Sequence, residues 1–255
     1  MFLFDNIIFG PVKSRRLGVS LGINLLPVDA KICSFDCIYC ECGFNTTMKK
    51  SPLPTREQVF ATLETKLAQM VTANELPDVI TFAGNGEPTL HPQFEGIIDD
   101  TILLRDRYCP EAKVSVLSNS TRVHKPSVFR ALLKVDNNIL KFDSAFDKTV
   151  QRLDRPVSKH FEVKWQLEQL KKFEGNLIIQ TLFLRGKLAD GIIDNTTEEE
   201  ISAWLEALKI IHPKQVMIYN IDRETPTKGL EKVPLATLQK IADRTRAIGF
   251  DVMVV

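Results

Sequence analysis

Four of the five cysteines in this 255-residue chain lie within ten residues of one another. Cys33, Cys37 and Cys40 have the spacing C-x3-C-x2-C, Cys42 follows two residues later, and Cys109 stands apart. Three thiolates on one short loop can bind three corners of a cubic iron–sulfur cluster, because the gaps let each sulfur reach a different iron. The fourth iron of such a cluster would have no protein thiolate, and an open coordination position is where chemistry can take place.

With Cys42 as a fourth ligand, the cysteine cluster has two other interpretations. As a fourth ligand it would complete a structural zinc site, although the spacing differs from the paired C-x2-C motifs typical of zinc. It could also complete a four-cysteine electron-transfer cluster. Cys109 precedes Pro110 at a predicted helix end and is expected to be inert. An odd cysteine count with one tight cluster favours a metal or redox site in a reducing compartment, so we expect a cytoplasmic protein.

A second motif, Thr81-Phe-Ala-Gly84-Asn-Gly86-Glu87-Pro88, ends another predicted strand. Gly84 and Gly86 allow the backbone to approach a ligand closely. Pro88 can begin a helix whose free amide groups lie near that ligand. The alternative is a tight strand-to-helix turn in which Glu87 is a capping acid, because short glycine motifs are weak signals.

Polar residues also end or interrupt three further predicted strands. They are Ser118 and Asn119, then Lys141 and Asp143, then Gln180. Alternation along a strand should place Lys141 and Asp143 on the same side, where they either meet a ligand or form a mutual salt bridge. Gln180 is a lone polar residue in an apolar run. It is a ligand candidate if it points inward, and otherwise it hydrogen-bonds the backbone.

These motifs lie between apolar runs typical of strands, which alternate with amphipathic stretches of helix length. The predicted strands are Val19–Leu26, Asp78–Ala83, Lys113–Leu117, Asn138–Phe142, Leu177–Leu184, Gln215–Asn220 and Phe250–Val254. The predicted helices are Thr55–Ala73, Phe94–Arg107, Ser127–Lys134, His160–Phe173, Glu198–Ile211 and Leu235–Ile248. This order predicts an α/β fold with parallel strands joined by right-handed crossovers.

Six βα units are too few for a closed eight-unit barrel. We therefore expect an open partial (β/α)6 barrel with a short C-terminal helix–strand extension, and a doubly wound open sheet is the alternative. In both folds the functional residues lie at the carboxyl ends of the strands. We find no boundary within the chain, so residues 1–255 are expected to form a single domain.

The composition excludes several classes of protein. Hydrophobic residues make up 44% and charged residues 25%, which excludes a disordered, coiled-coil or collagen-like chain. The net charge of +1 gives no overall attraction to nucleic acid or to an anionic membrane. No apolar run approaches the roughly 18 residues of a membrane helix, and residues 1–10 do not resemble a signal peptide. A local group, Lys13, Arg15 and Arg16, could bind a phosphate-bearing substrate or tRNA phosphates, or form a solvated loop.

The cysteine triple, with Tyr39 just before its third member, resembles the cluster loop of the radical S-adenosylmethionine (radical SAM) superfamily. The segment Gly84–Glu87 resembles the glycine–glutamate motif of that superfamily. Longer segments are similar to one bacterial and archaeal branch, which resembles the radical SAM enzymes of wybutosine synthesis on tRNA without their extra domains. These segments are Phe9–Gly18, Gly86–Pro92 and Ile221–Pro226.

The resemblance implies a [4Fe–4S] cluster on Cys33, Cys37 and Cys40, with SAM bound at the open iron. One electron from the cluster would cleave SAM into methionine and a 5′-deoxyadenosyl radical, and this radical would abstract hydrogen from a substrate. The cofactors carry this chemistry and the protein positions them. The resemblance also implies an iron–sulfur oxidoreductase-like enzyme with a reductant such as flavodoxin or ferredoxin. The motifs do not identify the substrate, a small molecule or tRNA.

The resemblance also suggests roles for individual residues. Gly86 and Glu87, with Gly84 before them, match the segment that holds the amino group of SAM, and Tyr39 would lie near the adenine. A cation at Lys141 could pair with the SAM carboxylate. The other candidates for cofactor binding are Asp143 for the ribose hydroxyls, Ser118, Asn119 and Gln180, and the segment Asn220–Asp222 for the adenine pocket.

Overall fold

The computed structural model describes residues 2–14, 16–46 and 51–255. In these ranges the chain forms a long sheet, a small second sheet and seven α-helices. The strands are β1 (Ile8–Ser14), β2 (Gly18–Ile23), β3 (Val79–Phe82), β4 (Lys113–Ser118), β5 (Asn137–Lys141), β6 (Ile178–Leu182), β7 (Leu184–Leu188), β8 (Gly191–Asp194), β9 (Gln215–Tyr219), β10 (Leu230–Lys232) and β11 (Val252–Val254). The helices are α1 (Arg56–Ala73), α2 (Phe94–Tyr108), α3 (Pro126–Lys134), α4 (Asp147–Leu153), α5 (Val163–Lys171), α6 (Glu198–Ile211) and α7 (Leu235–Ala247).

The long sheet has the strand order β1-β2-β3-β4-β5-β6-β9-β11. Its strands are parallel from β2 to β11, and β1 pairs antiparallel with β2 at one edge. The order follows the chain without reversing, as it does in a barrel, and the sheet curls into a half-barrel. The predicted partial barrel is therefore confirmed, and the doubly wound alternative is wrong. Helix α7 and strand β11 form the predicted C-terminal extension.

Side-chain alternation gives the sheet two different faces. The residues that face the helices are apolar and fully buried, including Ile80, Val116, Leu140 and Ile179. A smaller apolar cluster of Ile139, Ile178 and Met217 fills part of the inner face of the half-barrel. Two residues further along each of these strands, Lys141, Gln180 and Tyr219 lie on the same inner face. The carboxyl ends of the strands therefore present polar groups to the inside of the half-barrel.

Capping residues mark the starts of two helices in the sequence. Thr55 caps α1 in a capping box with Gln58, whose backbone N–H donates to the Thr55 hydroxyl at 3.2 Å. Thr197 caps α6, and Glu198, Glu199 and Glu200 occupy its first turn, where the positive end of the helix dipole stabilises carboxylates. These signals depend on neighbours in sequence, which is why the predicted and observed starts agree at α1 and α6. The helix predicted from His160 begins only at Val163.

Several short elements were missed. Strand β1 contains Gly10 and Pro11 and is mostly exposed at the sheet edge, so its sequence has no apolar alternation. Strands β7, β8 and β10 form a separate antiparallel sheet of three short strands. The sequence predicted one strand over Leu177–Leu184. In the structure β6 ends at Leu182, and Leu184 is already the first residue of β7 in the small sheet. Helix α4 was also missed, being only seven residues long.

Among the described residues, no helix is both long enough and apolar enough to cross a membrane. The organisation of residues 1–255 as a single domain stays a prediction.

Candidate active site

The cysteine loop follows β2 and is held in place by hydrogen bonds to its backbone. Asn45 closes the loop: its side-chain oxygen accepts from the Cys33 N–H at 2.8 Å, and its amide donates to the Cys33 and Phe35 carbonyls, each at 3.1 Å. The Ile38 N–H donates to the carbonyl of Leu153 at the end of α4 at 3.0 Å. The loop is thus anchored to an element more than a hundred residues away, which limits its freedom.

The glycine–glutamate turn packs directly against this loop. Backbone hydrogen bonds join Ile32 N–H to the Asn85 carbonyl at 2.9 Å and Glu87 N–H to the Ile32 carbonyl at 3.1 Å. Gly86 has a φ of +132°, and a Cβ atom at this position would lie 1.8 Å from the Ile32 carbonyl oxygen. Only glycine allows this approach, so Gly86 brings the second motif against the residue next to Cys33.

One cavity of about 310 Å³ collects most of the predicted site residues. Its lining includes Cys33, Cys37, Tyr39, Cys40, Gly84, Gly86, Glu87, Ser118, Asn119, Lys141, Gln180 and Asn220–Asp222. Asp143 is absent from the lining, because its carboxylate is enclosed behind Lys141 and Tyr39. Parallel strands explain the convergence, since their carboxyl ends meet at the same edge of the sheet.

The three thiols of the triple lie in unlike electrostatic surroundings. Burial raises the pKa of Cys33 to about 12 and that of Cys37 well above its usual value. A hydrogen bond from the Cys42 thiol lowers the pKa of Cys40 to about 6. The thiols of Cys33 and Cys37, whose pKa values are raised, keep their protons until a cation replaces them, and metal binding then releases those protons.

A buried lysine accompanies the cysteines and was not predicted. Lys31 is 3% exposed, its ammonium group donates to the Gly43 carbonyl at 2.8 Å, and it lies 3.3 Å from an Asp36 carboxylate oxygen. Burial acts to lower the pKa of Lys31, but the nearby thiols of Cys40, Cys33 and Cys37 together with Asp36 raise it. A cation here offsets negative charge that accumulates on the cysteine loop. No sequence motif marks this lysine, apart from its place two residues before Cys33.

Glu87 ties the turn to the end of β4. Its buried carboxylate accepts from the Asn119 N–H at 2.7 Å, the Ser118 hydroxyl at 2.8 Å and the Thr89 N–H at 3.1 Å. Burial raises the pKa of Glu87, whereas these hydrogen bonds act to lower it. Glu87 therefore acts as the capping acid of the turn at Pro88–Leu90, the structural alternative considered for it, and positions Ser118 and Asn119 as well.

Lys141 and Asp143 form a buried ion pair, with 3.0 Å between the ammonium nitrogen and a carboxylate oxygen. The hydroxyl of Tyr39 contacts both groups and lies 3.0 Å from Asp154. Burial acts to lower the pKa of Lys141, but the Asp143 carboxylate raises it well above its usual value. Burial and then Asp143 raise the pKa of Asp154 to about 8. The geometry supports the mutual salt bridge, and the ribose role of Asp143 stays a prediction.

Asn119 and Gln180 also have protein partners. The Asn119 amide donates to the Cys33 sulfur at 3.4 Å and to the Ser34 hydroxyl at 2.8 Å. Gln180 points inward, and its side-chain oxygen accepts from Arg16 at 3.3 Å.

The basic group near the first predicted strand is divided in the structure. Lys13 is exposed, whereas Arg16 reaches into the half-barrel. Arg15 lies outside the described residues.

Cys42 lines the same cavity, and its thiol lies 3.5 Å from the Gly84 carbonyl oxygen. It therefore does not turn away from the triple. Cys109 is buried at the end of α2, remote from the loop. Among the described residues, no three His, Cys, Asp or Glu side chains are arranged to hold a single metal ion. Three thiols lining one cavity are a donor set that fits a cluster, in which each sulfur binds a separate iron.

Comparison with known proteins places this chain in a family. The model of the radical SAM superfamily matches residues 28–187. The chain is 32% identical over 241 residues to the UPF0026 protein MJ1312 of Methanocaldococcus jannaschii, covering 92% of this chain and 70% of that protein. It is also 32% identical over 231 residues to a UPF0026 protein of Helicobacter pylori strain J99, covering 88% of this chain and 68% of that protein.

Solved structures share the fold at low sequence identity. Streptococcus suis SuiB bound to S-adenosylmethionine superposes with a TM-score of 0.64 at 14% identity, over 89% of this chain. A radical SAM methyltransferase from Sphaerobacter thermophilus gives 0.67 at 12% identity, covering 92% of this chain and 65% of that one. TYW1 with a lysine-pyruvate adduct bound gives 0.60 at 15% identity, covering 89% and 73%. The chain spans about half the length of SuiB, 48%. The chain belongs to the radical SAM superfamily, and it belongs with the UPF0026 proteins.

Proposed function

We propose that this protein is an enzyme that holds a [4Fe–4S] cluster on Cys33, Cys37 and Cys40, binds SAM beside it, and takes hydrogen from an organic substrate. One observation carries the proposal. The three thiols, the glycine–glutamate turn and the ends of the inner strands line a single cavity of about 310 Å³. When bound, the cluster and SAM supply a one-electron cleavage that yields a carbon radical able to abstract hydrogen.

The residues of the chain have defined tasks in this proposal. The thiols of the triple lose their protons and bind iron, while the ammonium group of Lys31 offsets the resulting negative charge. The Asn119 amide, 3.4 Å from the Cys33 sulfur, hydrogen-bonds a ligand sulfur and so influences its charge. The buried Lys141–Asp143 pair holds Tyr39 rigidly in the cavity wall.

We further propose where SAM is held. The backbone at Gly84 and Gly86 approaches its amino group, and the ring of Tyr39 and the segment Asn220–Asp222 approach its adenine. Lys141 is the proposed partner of its carboxylate. Ser118 and Gln180 complete the polar wall of this cavity.

The partners follow from the chemistry. A one-electron reductant such as flavodoxin or ferredoxin is required, and the cytoplasm is the compartment that supplies it. The substrate is a small molecule or, as the second candidate, tRNA.

The test is anaerobic reconstitution with iron and sulfide, followed by addition of SAM and reductant. We expect a [4Fe–4S] EPR signal that changes when SAM is added, and 5′-deoxyadenosine after reduction. If the EPR spectrum of the cluster does not change when SAM is added, and no 5′-deoxyadenosine forms, the protein is better explained as an electron-transfer protein.

Cys42 lines the cavity beside Cys40, so a cluster or zinc ion bound by four cysteines is the alternative to the proposed enzyme. Two residues of extended chain span at most about 7 Å, so reach does not exclude Cys42 from the cluster. In the enzyme, however, a fourth thiolate would occupy the position that SAM needs. We expect Cys42→Ser to retain the full iron content of the cluster and to produce 5′-deoxyadenosine on reduction. Loss of the cluster in a folded Cys42→Ser protein would support the electron-transfer or zinc interpretation.

Replacing Glu87 tests the glycine–glutamate turn. Glu87→Gln removes the charge and puts an amide donor against the Asn119 N–H or the Ser118 hydroxyl. In the proposed SAM site the Glu87 carboxylate also accepts a hydrogen bond from the SAM amino group. Because a hydrogen bond to a charged group contributes about 1.5–3 kcal/mol, we expect SAM affinity to fall about tenfold or more while the cluster is retained. SAM titration followed by EPR measures this, with iron content as the control. If the melting temperature drops but SAM affinity is unchanged, Glu87 has a structural role only.

A further inference from the structure

A second cavity, of about 550 Å³, lies inside the half-barrel and adjoins the cysteine cavity. The two cavities share part of their walls, namely Phe4, Arg16, Glu41, Ala83 and Leu117. A molecule in this inner cavity would therefore lie next to whatever occupies the cysteine cavity.

The walls of the inner cavity are largely apolar. The rings of Phe4 and Phe9 stack with 3.7 Å between their centroids. The Phe9 ring lies directly over Gly22, which has no side chain: a Cβ atom there would lie 2.1 Å from the ring. Two hydroxyls in the same wall, those of Ser20 and Thr81, satisfy each other at 2.8 Å. These walls suit the carbon skeleton of a small molecule.

The charges around the two cavities are not equally neutralised. Three cations each have a carboxylate partner, at nitrogen–oxygen distances of 3.3, 3.0 and 2.9 Å: Lys31 with Asp36, Lys141 with Asp143, and Arg223 with Glu41. Arg16 differs from them. It is half-buried, its guanidinium donates to the neutral amide of Gln180 at 3.3 Å, and it lies 4.7 Å from the centre of the Tyr219 ring. In the described part of the chain no carboxylate pairs with it.

A half-buried guanidinium with only neutral partners is a site for an anion. The guanidinium carries several donors in a planar fork, which matches a carboxylate or phosphate group. An ion pair formed by a half-buried guanidinium is screened less by water than one on the open surface. Lys13, on the same hairpin as Arg16, also lines the inner cavity and adds positive charge.

We propose that the substrate is a small molecule with a carboxylate or phosphate group, that Arg16 binds this group, and that the rest of the molecule occupies the inner cavity. This inference rests on the proposed function. In that reaction, SAM takes one electron from the reductant and releases methionine. One C–H bond of the substrate breaks, and its hydrogen atom completes the methyl group of 5′-deoxyadenosine.

The first test measures anion binding without SAM. Inorganic phosphate and succinate are titrated into the reconstituted protein by calorimetry, using wild type, Arg16→Gln and Arg16→Lys. The control is Arg155→Gln, which changes an exposed arginine that also stacks on an aromatic ring, at 5.1 Å from Phe44, but lines neither cavity. We expect at least tenfold weaker binding of one of the two anions in Arg16→Gln, partial recovery in Arg16→Lys, and no change in the control. The anion affected identifies the group. Equal affinities in wild type and Arg16→Gln would overturn the inference.

The second test follows the hydrogen atom. A small-molecule ultrafiltrate from cells grown in deuterated medium is separated by anion exchange, and each fraction is incubated with holoenzyme, SAM and reductant. Mass spectrometry of 5′-deoxyadenosine then reports which fraction donated deuterium. We expect the donor in the retained, anionic fraction, and at least tenfold less deuterium transfer in Arg16→Gln with unchanged SAM affinity.

The outcomes separate the two proposals. No 5′-deoxyadenosine from any sample would contradict the proposed function itself. Deuterium donated only by the unretained fraction would overturn the inference alone. So would weaker SAM binding in Arg16→Gln with unchanged anion binding, because Arg16 would then serve the cofactor. If no fraction donates deuterium, the anion titrations decide.

Discussion

Replacing Cys33, Cys37 or Cys40 by alanine is expected to abolish both the brown chromophore and the cleavage of SAM. Each thiolate of the proposed cluster binds a separate iron, so the loss of one leaves two irons of the cluster without a protein ligand. The iron content per chain, the visible absorption and the yield of 5′-deoxyadenosine measure the effect. Full iron content and activity in Cys33→Ala or Cys37→Ala would contradict the proposed cluster.

Cys109→Ala is the matched control, because Cys109 is a free, buried cysteine at the end of α2 outside the loop. It should keep the cluster and the activity. Cys40 needs one further variant, since the thiol of Cys42 hydrogen-bonds with it and could replace it. If Cys40→Ala retains iron, the double variant Cys40→Ala/Cys42→Ser should lose it. Iron that persists in the double variant would exclude both cysteines as ligands.

The parts of the site that could be predicted are those that depend on local spacing. The cysteine triple and the glycine–glutamate motif each follow a strand, and the ends of parallel strands share one edge of the sheet. That rule brought Ser118, Asn119, Lys141 and Gln180 into one cavity without knowledge of the side-chain contacts. The same rule could not decide whether Lys141 and Asp143 face a ligand or each other.

The parts that could not be predicted depend on contacts between distant residues. Asp154 meets Cys37 and Tyr39 across more than a hundred residues, and Asn119 meets Cys33 across the half-barrel. Lys31 is buried only because the loop folds its Gly43 carbonyl and Asp36 around it. Arg16 could equally have belonged to a solvated loop, and it reaches Gln180 only because the edge strand β1 pairs with β2. Periodicity and spacing carry no signal for such pairings.

The buried pair of Lys141 and Asp143 gives the second large effect. Their side chains are 10% and 0% exposed, and the Asp143 carboxylate also accepts from the Leu182 N–H at 2.9 Å. Removing one partner of a buried pair leaves an uncompensated charge, so we expect Asp143→Ala to reduce the free energy of unfolding by about 3–5 kcal/mol. Equilibrium urea unfolding of the cluster-free protein, with its thiols kept reduced, measures this.

Two further variants test whether an unpaired buried charge causes the loss of stability in Asp143→Ala. Glu95→Ala breaks a surface ion pair with Arg130, which water and salt screen, so it is expected to lower the free energy of unfolding far less than Asp143→Ala does. The double replacement Lys141→Met/Asp143→Leu removes both buried charges, and apolar residues of similar size commonly match a buried pair in stability, so it should recover most of the loss. If Asp143→Ala instead unfolds like wild type but binds SAM at least tenfold more weakly, Asp143 is a ligand for the ribose. The salt bridge would then contribute little to the fold.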